Sequence, residues 1–280
     1  MNLIKFGRPG FSGEAEEESF SDARSPGGAK APTNLLFEAS ALREAGLLSP
    51  SYEGFKLARE YRHIKRPLIA RAFGRGTVRL PKGYLIMVAS AVSGEGKSFT
   101  AVNLALSLSL EKDLRVLLVD ADVVRPQISR VLGLSDAPGL LDVLRDPSLD
   151  VERVIRSTNI ATLSVLPAGK PSAEATELLA SQRMEQVVAA LGEHDSQRIV
   201  LFDSPPLLQT NESQALAQLV GQVVVVVQAD STPQPLLLEA LEILKEHPGV
   251  SLVLNRSMRP ASSPAYYGYG SDRSEQAESS

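Results

Sequence analysis

The sequence of 280 residues contains neither cysteine nor tryptophan. Without cysteine, the chain can form no disulfide or thiolate metal site, and it can carry no iron–sulfur cluster. No apolar run approaches the roughly 18 residues that a membrane-spanning helix needs, and the first ten residues lack the apolar core of a secretory signal. These absences predict a soluble, cytoplasmic protein.

A surplus of positive charge is also missing. The formal net charge is −4 at pH 7, whereas nucleic-acid-binding proteins usually carry an excess of lysine and arginine. We therefore expect no nucleic-acid partner. The chain is 43% hydrophobic, which is sufficient for one large core and a small appendage.

The two ends of the chain differ in composition from its middle. Residues 1–33 are rich in Gly, Ser, Pro and Glu and bury too little apolar surface to offset the entropy of ordering, so we expect disorder there. Residues 34–42 could form a short amphipathic helix that docks on the domain, on a partner or on neither. We predict a disordered or interacting N-terminal segment over 1–50, one domain over 51–259 and a flexible tail over 260–280.

Apolar runs and helical patterns alternate along the middle of the chain. Unbroken apolar runs are typical of parallel strands covered on both faces. The repeated strand–helix order predicts an α/β fold, a doubly wound and mostly parallel sheet with helices on both faces. Strands are expected at 84–89, 115–119, 162–166, 198–202, 222–228 and 250–254, and helices at 52–73, 97–110, 139–144, 173–191, 212–219 and 234–247.

The first of these helices and the stretch after it are basic, with Arg59, Arg62, Lys65, Arg66, Arg71, Arg75, Arg79 and Lys82. Such a run is typical of a solvated helix face. It could equally be a contact surface for another subunit or for an acidic partner.

A glycine-containing loop over residues 91–98, Ala-Val-Ser-Gly-Glu-Gly-Lys-Ser, lies between the first predicted strand of the sheet and a helix. This context favours a phosphate-binding loop of the P-loop NTPase type over an incidental Gly-Ser turn. Backbone N–H groups and the helix N-terminus would hold the phosphates of ATP, Lys97 would reach the β- and γ-phosphates, and Ser98 would bind Mg2+. The predicted nucleotide-binding residues are Ser93, Gly94, Glu95, Gly96, Lys97, Ser98, Phe99 and Thr100.

Carboxylates follow two of the predicted strands. Asp120 and Asp122 come after the second strand, and Asp203 ends the fourth, as in the Walker B arrangement. The carboxyl ends of buried parallel strands are where open α/β sheets bind ligands, so we expect Asp122 and Asp203 to be Mg2+ ligands, directly or through water. A turn-capping role for Asp120 is the alternative.

Two asparagines are further candidates. Asn255 ends the sixth strand and could hydrogen-bond the base of the nucleotide, although a turn-forming role is as plausible. Asn103 lies in the helix after the loop, and we expect it to brace the loop rather than contact ligand.

Three of the six tyrosines, Tyr266, Tyr267 and Tyr269, fall within four residues of the predicted tail. Tyrosines in a flexible segment bury nothing, so packing does not explain them. Chance composition is one explanation, and phosphate acceptors are the other. A flexible run of about 12 residues spans roughly 20 Å, enough to reach a site on its own or an adjacent subunit.

With these residues in hand, the chain resembles the bacterial tyrosine kinases of polysaccharide export, and more narrowly the exosortase-associated tyrosine autokinases. The resemblance covers about residues 59–256 and the tail. It rests on the loop ending at Ser98, on Asp120-Ala121-Asp122 with Arg125-Pro126, and on Phe202-Asp203-Ser204-Pro205-Pro206.

The resemblance implies an ATP- and Mg2+-dependent protein-tyrosine autokinase that phosphorylates tail tyrosines of neighbouring subunits and regulates exopolysaccharide synthesis. Lys97, Asp120, Asp122, Arg125 and Asp203 would be the catalytic residues. Asp120 is the candidate base and Asp122 orders the metal's water shell, with the reverse assignment nearly as plausible. It also implies a homo-oligomeric ring or dimer, a separate membrane-spanning polysaccharide co-polymerase as activator, and recruitment to the inner face of the plasma membrane.

The chain departs from the family pattern in two places. The usual arginine of the Asp-x-Asp-x-Arg motif stands one position earlier, where this chain has Val124, and Arg59 replaces a glutamate of the family's subunit-contact helix. Two other functions remain open. One is a partitioning or positioning ATPase, which normally carries a lysine where this loop has Val92, and the other is a non-catalytic regulator that binds ATP as a switch.

Overall fold

The computed structural model describes residues 35–48 and 56–257. Its sheet has seven strands in the order β3-β4-β2-β5-β1-β6-β7. All neighbouring strands run parallel except β3, which is antiparallel to β4. The strands are β1 (Leu85–Ser90), β2 (Arg115–Asp120), β3 (Arg156–Ser157), β4 (Leu163–Leu166), β5 (Arg198–Asp203), β6 (Gln222–Gln228) and β7 (Val250–Asn255).

The central strands are buried on both faces, which explains their unbroken apolar sequences. Every residue of β1 is buried, and β2 and β5 are buried except at their first residue. Alternate side chains enter two separate apolar clusters, one on each side of the sheet. The predicted doubly wound architecture with helices on both faces is therefore confirmed.

Each apolar cluster is covered by its own set of helices. One face holds α1 (Ala39–Glu44), α2 (Lys56–Phe73), α3 (Lys97–Leu108) and α4 (Gln127–Val131). The other face holds α5 (Leu140–Arg145), α6 (Ala175–Leu179), α7 (Gln182–Glu193), α8 (Asn211–Leu219) and α9 (Gln234–Ile243). A 3-10 turn over Val151–Arg153 precedes β3.

The structure divides one predicted helix and contains elements that the sequence pattern missed. The helix expected over 173–191 is two helices, because Ser181 ends the first and caps the second. Its hydroxyl donates to the carbonyl of Leu178 and accepts from the N–H of Met184. The short elements β3 and α4 were not predicted. Pro67 lies inside α2 without ending it.

Residues 35–48 pack against the domain. Leu35 pairs with Thr158 beside β3, and Leu42 is completely buried in the cluster under α2 and α3. The N–H of Leu48 donates to the side-chain oxygen of Asn103, 2.8 Å away. The helix here begins at Ala39 rather than at residue 34. The segment that the sequence left unassigned thus docks on this chain's own sheet.

None of the helices within 35–48 and 56–257 is both long and apolar enough to cross a bilayer. The predicted acceptors Tyr266, Tyr267 and Tyr269 lie outside the described residues, as do residues 1–34.

Candidate functional site

The glycine loop lies at the centre of the carboxyl edge of the sheet. It follows β1, which pairs with β5 on one side and β6 on the other, and it leads directly into α3. Gly94 and Gly96 have φ values of 89° and 93°, a left-handed conformation that side chains with a Cβ rarely adopt. A Cβ on Gly94 would meet no atom within 4 Å, so the loop faces open space there. This geometry is that of a phosphate cradle.

Lys97, the first residue of α3, forms an ion pair with Asp122. Its Nζ lies 3.1 Å from the carboxylate, and the two side chains are 9% and 4% exposed. The other carboxylate oxygen of Asp122 accepts from the N–H of Arg125 at 3.2 Å. The Arg125 guanidinium extends to the Ser93 hydroxyl, 3.3 Å away. The structure therefore brings both Asp122 and Arg125 to the loop, although Arg125 stands one position after the family's usual arginine.

Asp120 and Asp203 are direct neighbours across β2 and β5, and both are completely buried. The N–H of Ser129 in the first turn of α4 donates to one oxygen of Asp120 at 2.7 Å. The second oxygen of Asp120 and both oxygens of Asp203 are buried without a well-aligned hydrogen bond among the described residues, although the Ser98 hydroxyl is close enough to lower the pKa of Asp203. Asp120 thus caps α4, in agreement with one of the two sequence interpretations, and keeps one oxygen available.

The environment of these carboxyls favours their protonated form. Burial raises the pKa of Asp120 to about 8, and the neighbouring Asp203 adds to the increase. Burial likewise raises the pKa of Asp203 to about 7, with Lys97 acting in the opposite direction. Two adjacent buried carboxyls of this kind are typical of a functional site that a cation or phosphate-bound metal would complete.

The donor set fits a magnesium ion that is held mainly by phosphate and water. Among the residues described, no three His, Cys, Asp or Glu side chains form a cluster that could hold a metal alone. Mg2+ typically takes one or two carboxylates together with phosphate oxygens and several waters. The buried carboxylate of Asp203 matches that requirement. The Ser98 hydroxyl lies beside it, one residue after Lys97, and could be a further ligand.

The remaining predicted residues lie around the loop in different roles. Glu95 is 3% exposed, and Asn255 at the tip of β7 donates from its amide to the Glu95 carbonyl at 2.9 Å. Phe99 packs on the α2–α3 side of the sheet. Thr100 is buried, and its hydroxyl has no partner among the described residues. Nucleotide contact by these four residues remains a prediction.

Asn103 does not brace the loop, contrary to expectation. Its amide donates to the Phe99 carbonyl within α3, and its oxygen accepts from Leu48. It therefore anchors the N-terminal segment. Thr232 was not singled out from the sequence, yet its hydroxyl donates to the Glu95 carboxylate. It lies 137 positions from Glu95, so no local pattern could have indicated this contact.

Comparison with known proteins agrees with this geometry. A family model described as an AAA domain matches residues 83–246, more than half of the chain. Tyrosine-protein kinase YwqD of Bacillus subtilis (strain 168) is 31% identical over 185 residues, which cover 66% of this chain and 76% of YwqD. The chain belongs to the AAA-domain family, among the bacterial tyrosine-protein kinases. The predicted family of bacterial tyrosine kinases and the predicted enzyme class are therefore confirmed, whereas the narrower assignment to the exosortase-associated autokinases stays a prediction.

Other bacterial tyrosine kinases are similar to this chain over different shares of their own length. Tyrosine-protein kinase ptk of Acinetobacter johnsonii is 34% identical over 137 residues, which are 49% of this chain but 18% of that protein. The crystal structure of the VpsO kinase domain superposes with a TM-score of 0.60 at 26% identity, covering 72% of this chain and 96% of that domain. The residues matched by the family model, 83–246, include the glycine loop and the carboxylates Asp120, Asp122 and Asp203.

Proposed function

We propose that this kinase transfers the γ-phosphate of ATP to Tyr266, Tyr267 and Tyr269 of its own C-terminal tail and thereby regulates exopolysaccharide synthesis. The observation that carries the proposal is the Lys97–Asp122 pair beside the glycine loop, next to the buried carboxyls Asp120 and Asp203. Membership of the bacterial tyrosine kinases supports the choice of acceptor.

Phosphoryl transfer depends on positioning and charge neutralisation more than on covalent chemistry. The backbone of residues 93–100 and the Lys97 ammonium hold the phosphates, which requires Lys97 to exchange part of its contact with Asp122 for phosphate oxygen. Ser98, Asp122 and Asp203 would hold Mg2+, directly or through water, and the bound ion would supply positive charge to the phosphate oxygens. Arg125 steadies the phosphates or the incoming tail from its position beside Ser93.

In the transfer itself, the tyrosine oxygen forms a bond to the γ-phosphorus while the bond from that phosphorus to the bridging oxygen of ADP breaks. The hydroxyl proton passes to a carboxylate, for which Asp120 is the candidate. One of its oxygens has no hydrogen-bond partner among the described residues. It would accept the proton in its ionised form, which a bound metal cation would favour over the protonated form that burial favours in the nucleotide-free protein. Asp122 is the alternative base, with Asp120 then in the structural role shown by its bond to Ser129.

The tail begins near the nucleotide edge. β7 runs parallel to β6 and ends at Asn255, whose side chain touches the glycine loop. From residue 258 to Tyr269 there are about 12 residues, which span roughly 20 Å when flexible. We propose that this reach serves transfer between neighbouring subunits of a homo-oligomer. A separate membrane-spanning polysaccharide co-polymerase then recruits and activates the kinase at the inner face of the plasma membrane.

The experiment is incubation of the full chain with Mg-ATP, followed by mass spectrometry of the tail. Phosphate is expected on one or more of Tyr266, Tyr267 and Tyr269, and a variant with all three changed to Phe should lose it. Lys97→Met is the negative control, because it removes the ammonium group that we propose to bind phosphate. Tyr84→Phe is the matched control, because it removes a tyrosine outside the tail. A tail without phosphate, even with the cytoplasmic segment of the membrane partner supplied, would refute autophosphorylation.

A further inference from the structure

Glu95 occupies an unusual position in the phosphate loop. It stands between Gly94 and Gly96, both in the left-handed conformation that side chains with a Cβ rarely adopt. Its side chain points away from solvent and is 3% exposed. A buried carboxylate between two glycines must be held by specific partners, because burying it without them is unfavourable.

Three contacts hold Glu95, and they come from three different parts of the chain. One carboxylate oxygen accepts from the N–H of Val92 at the start of the loop, at 2.9 Å. The other accepts from the hydroxyl of Thr232, in the turn between β6 and α9. The Glu95 carbonyl accepts from the side-chain amide of Asn255 at the tip of β7. The last two contacts join the loop to the turn after β6 and to the tip of β7, which are the two strands on one side of β1.

The direction of the Thr232 hydrogen bond is determined by its neighbours. The N–H of Gln228 donates to the Thr232 hydroxyl oxygen at 2.9 Å. The hydroxyl has a single proton, and this proton is directed to the Glu95 carboxylate. Hydrogen bonds to an ionised acceptor are among the stronger ones in proteins. Serine can make the same pair of bonds, whereas valine has the same shape and can make neither.

Asn255 holds the backbone of Glu95, as Thr232 holds its side chain. Its amide nitrogen donates to Glu95, and its oxygen accepts from the N–H of Arg256, at 2.9 Å each. A Cβ on Gly96 would collide with this side-chain amide, so the glycine leaves room for the Asn255 side chain against the loop.

We propose that Thr232 is a positioning residue of the phosphoryl-transfer site, which acts by holding the Glu95 carboxylate and, through it, the backbone N–H groups that bind phosphate. It does not contact the nucleotide phosphates itself. The inference rests on the proposed phosphate site. The Thr232–Glu95 hydrogen bond holds the loop equally in the bound ground state and in the transition state. Its loss should therefore weaken nucleotide binding more than it slows the chemical step.

The test measures the Kd of Mg-ADP by titration calorimetry and the steady-state constants for ATP in the full chain. Thr232→Val is expected to raise both the Kd of Mg-ADP and the KM for ATP on the order of tenfold, with kcat changed less than about threefold. Thr232→Ser should restore both to within about threefold of the wild type. Ser231→Ala, at the exposed neighbouring position, is the matched control and should leave them unchanged.

A double-mutant cycle separates positioning from a general loss of stability. Glu95→Ala and Thr232→Val should be strongly non-additive, so that the double variant binds Mg-ADP about as weakly as Glu95→Ala alone. Additive losses would overturn the inference, as would a Thr232→Val protein with wild-type affinity. If Thr232→Val does not fold, Thr232→Ala replaces it in both measurements, since it removes the hydroxyl without placing a methyl group against the carboxylate. Failure of the wild type to bind Mg-ADP would instead refute the phosphate site itself.

Discussion

Lys97 and Asp122 are paired at 3.1 Å in a place where neither side chain is more than 9% exposed. The pair joins the first turn of α3 to the segment after β2. Two charges this well buried stabilise the protein only as long as both are present, because each one compensates for the lost hydration of the other. The lysine that we propose to bind phosphate is therefore also part of the buried structure.

Replacing Lys97 by Met should cost stability as well as activity. The substitution leaves Asp122 buried without its partner, and we expect the free energy of unfolding at pH 8 to fall by about 3 kcal/mol. Adding Asp122→Asn should recover most of that loss but none of the nucleotide binding. Urea unfolding of the single and double variants checks this, and equal stability of Lys97→Met and wild type would contradict it.

The buried carboxyls make the nucleotide-free protein less stable as the pH rises. Asp120 ionises near the ordinary aspartate pKa of 3.8 when the chain is unfolded, and its folded pKa is about 8. The folded state therefore binds more protons between these values, and ∂ΔG/∂pH of unfolding is negative there. The contribution is fully present below about pH 4 and is lost progressively up to about pH 8. Asp203, with a pKa raised to about 7, acts in the same direction.

Asp120→Asn provides the measurement. An amide of the same shape does not ionise, so the variant should exceed the wild type in free energy of unfolding, and the excess should be larger at pH 8 than at pH 5. The matched control is Asp113→Asn, at an exposed carboxyl in the turn before β2, for which no such pH-dependent gain is expected. A constant difference between the Asp120→Asn protein and the wild type across this range would argue against the raised pKa.

The two glycines of the loop should respond differently to alanine. Both have positive φ, so either substitution introduces backbone strain of about 1–3 kcal/mol. At Gly96 the new Cβ would also displace the Asn255 amide, whereas at Gly94 it would enter open space. Nucleotide-free Gly96→Ala should therefore melt at a lower temperature than Gly94→Ala. Combining Gly96→Ala with Asn255→Ala should add little further destabilisation, and a fully additive loss would contradict the predicted collision.

The N-terminal segment should contribute to global stability. Leu42 is fully buried between this segment and the domain, so Leu42→Ala is expected to cost about 2–5 kcal/mol. Leu36→Ala, in the same segment at a side chain that is 39% exposed, is the matched control and should cost far less. Equal, small losses in denaturant unfolding would mean that residues 35–48 detach without affecting the rest of the protein.

The strands, their mostly parallel direction and the carboxylates at their ends were predictable from the sequence, because each depends on a local pattern. A strand such as β1 is a run of five apolar residues followed by Ser90, and the glycine loop has a recognisable spacing of its glycines and lysine. Elements that are too short to show a repeating hydrophobic pattern were not predictable. β3 has two residues and α4 has five. The division at Ser181 was missed because the helical pattern continues on both sides of a single capping hydroxyl.

Contacts between distant parts of the chain account for the remaining differences. From the sequence, Asn103 was expected to brace the glycine loop, but its oxygen accepts from Leu48, 55 positions earlier. Sequence alone left Asp120 as either a cap or a base. The bond from Ser129 occupies one of its oxygens, and the role as a base stays a prediction. The role of Asn255 likewise depends on a distant contact, because its side chain reaches from the tip of β7 past β6 to the loop.

The two edges of the sheet are protected to different degrees. Leu35 covers the end of β3, whereas β7 pairs only with β6 among the described strands, and its Leu252 and Leu254 side chains are 54% and 61% exposed. An uncovered strand with apolar side chains readily pairs with a foreign strand. Concentrated preparations should therefore begin to aggregate at β7. A lysine in place of Leu252 would be the first change to make for solubility, and it leaves the nucleotide edge intact.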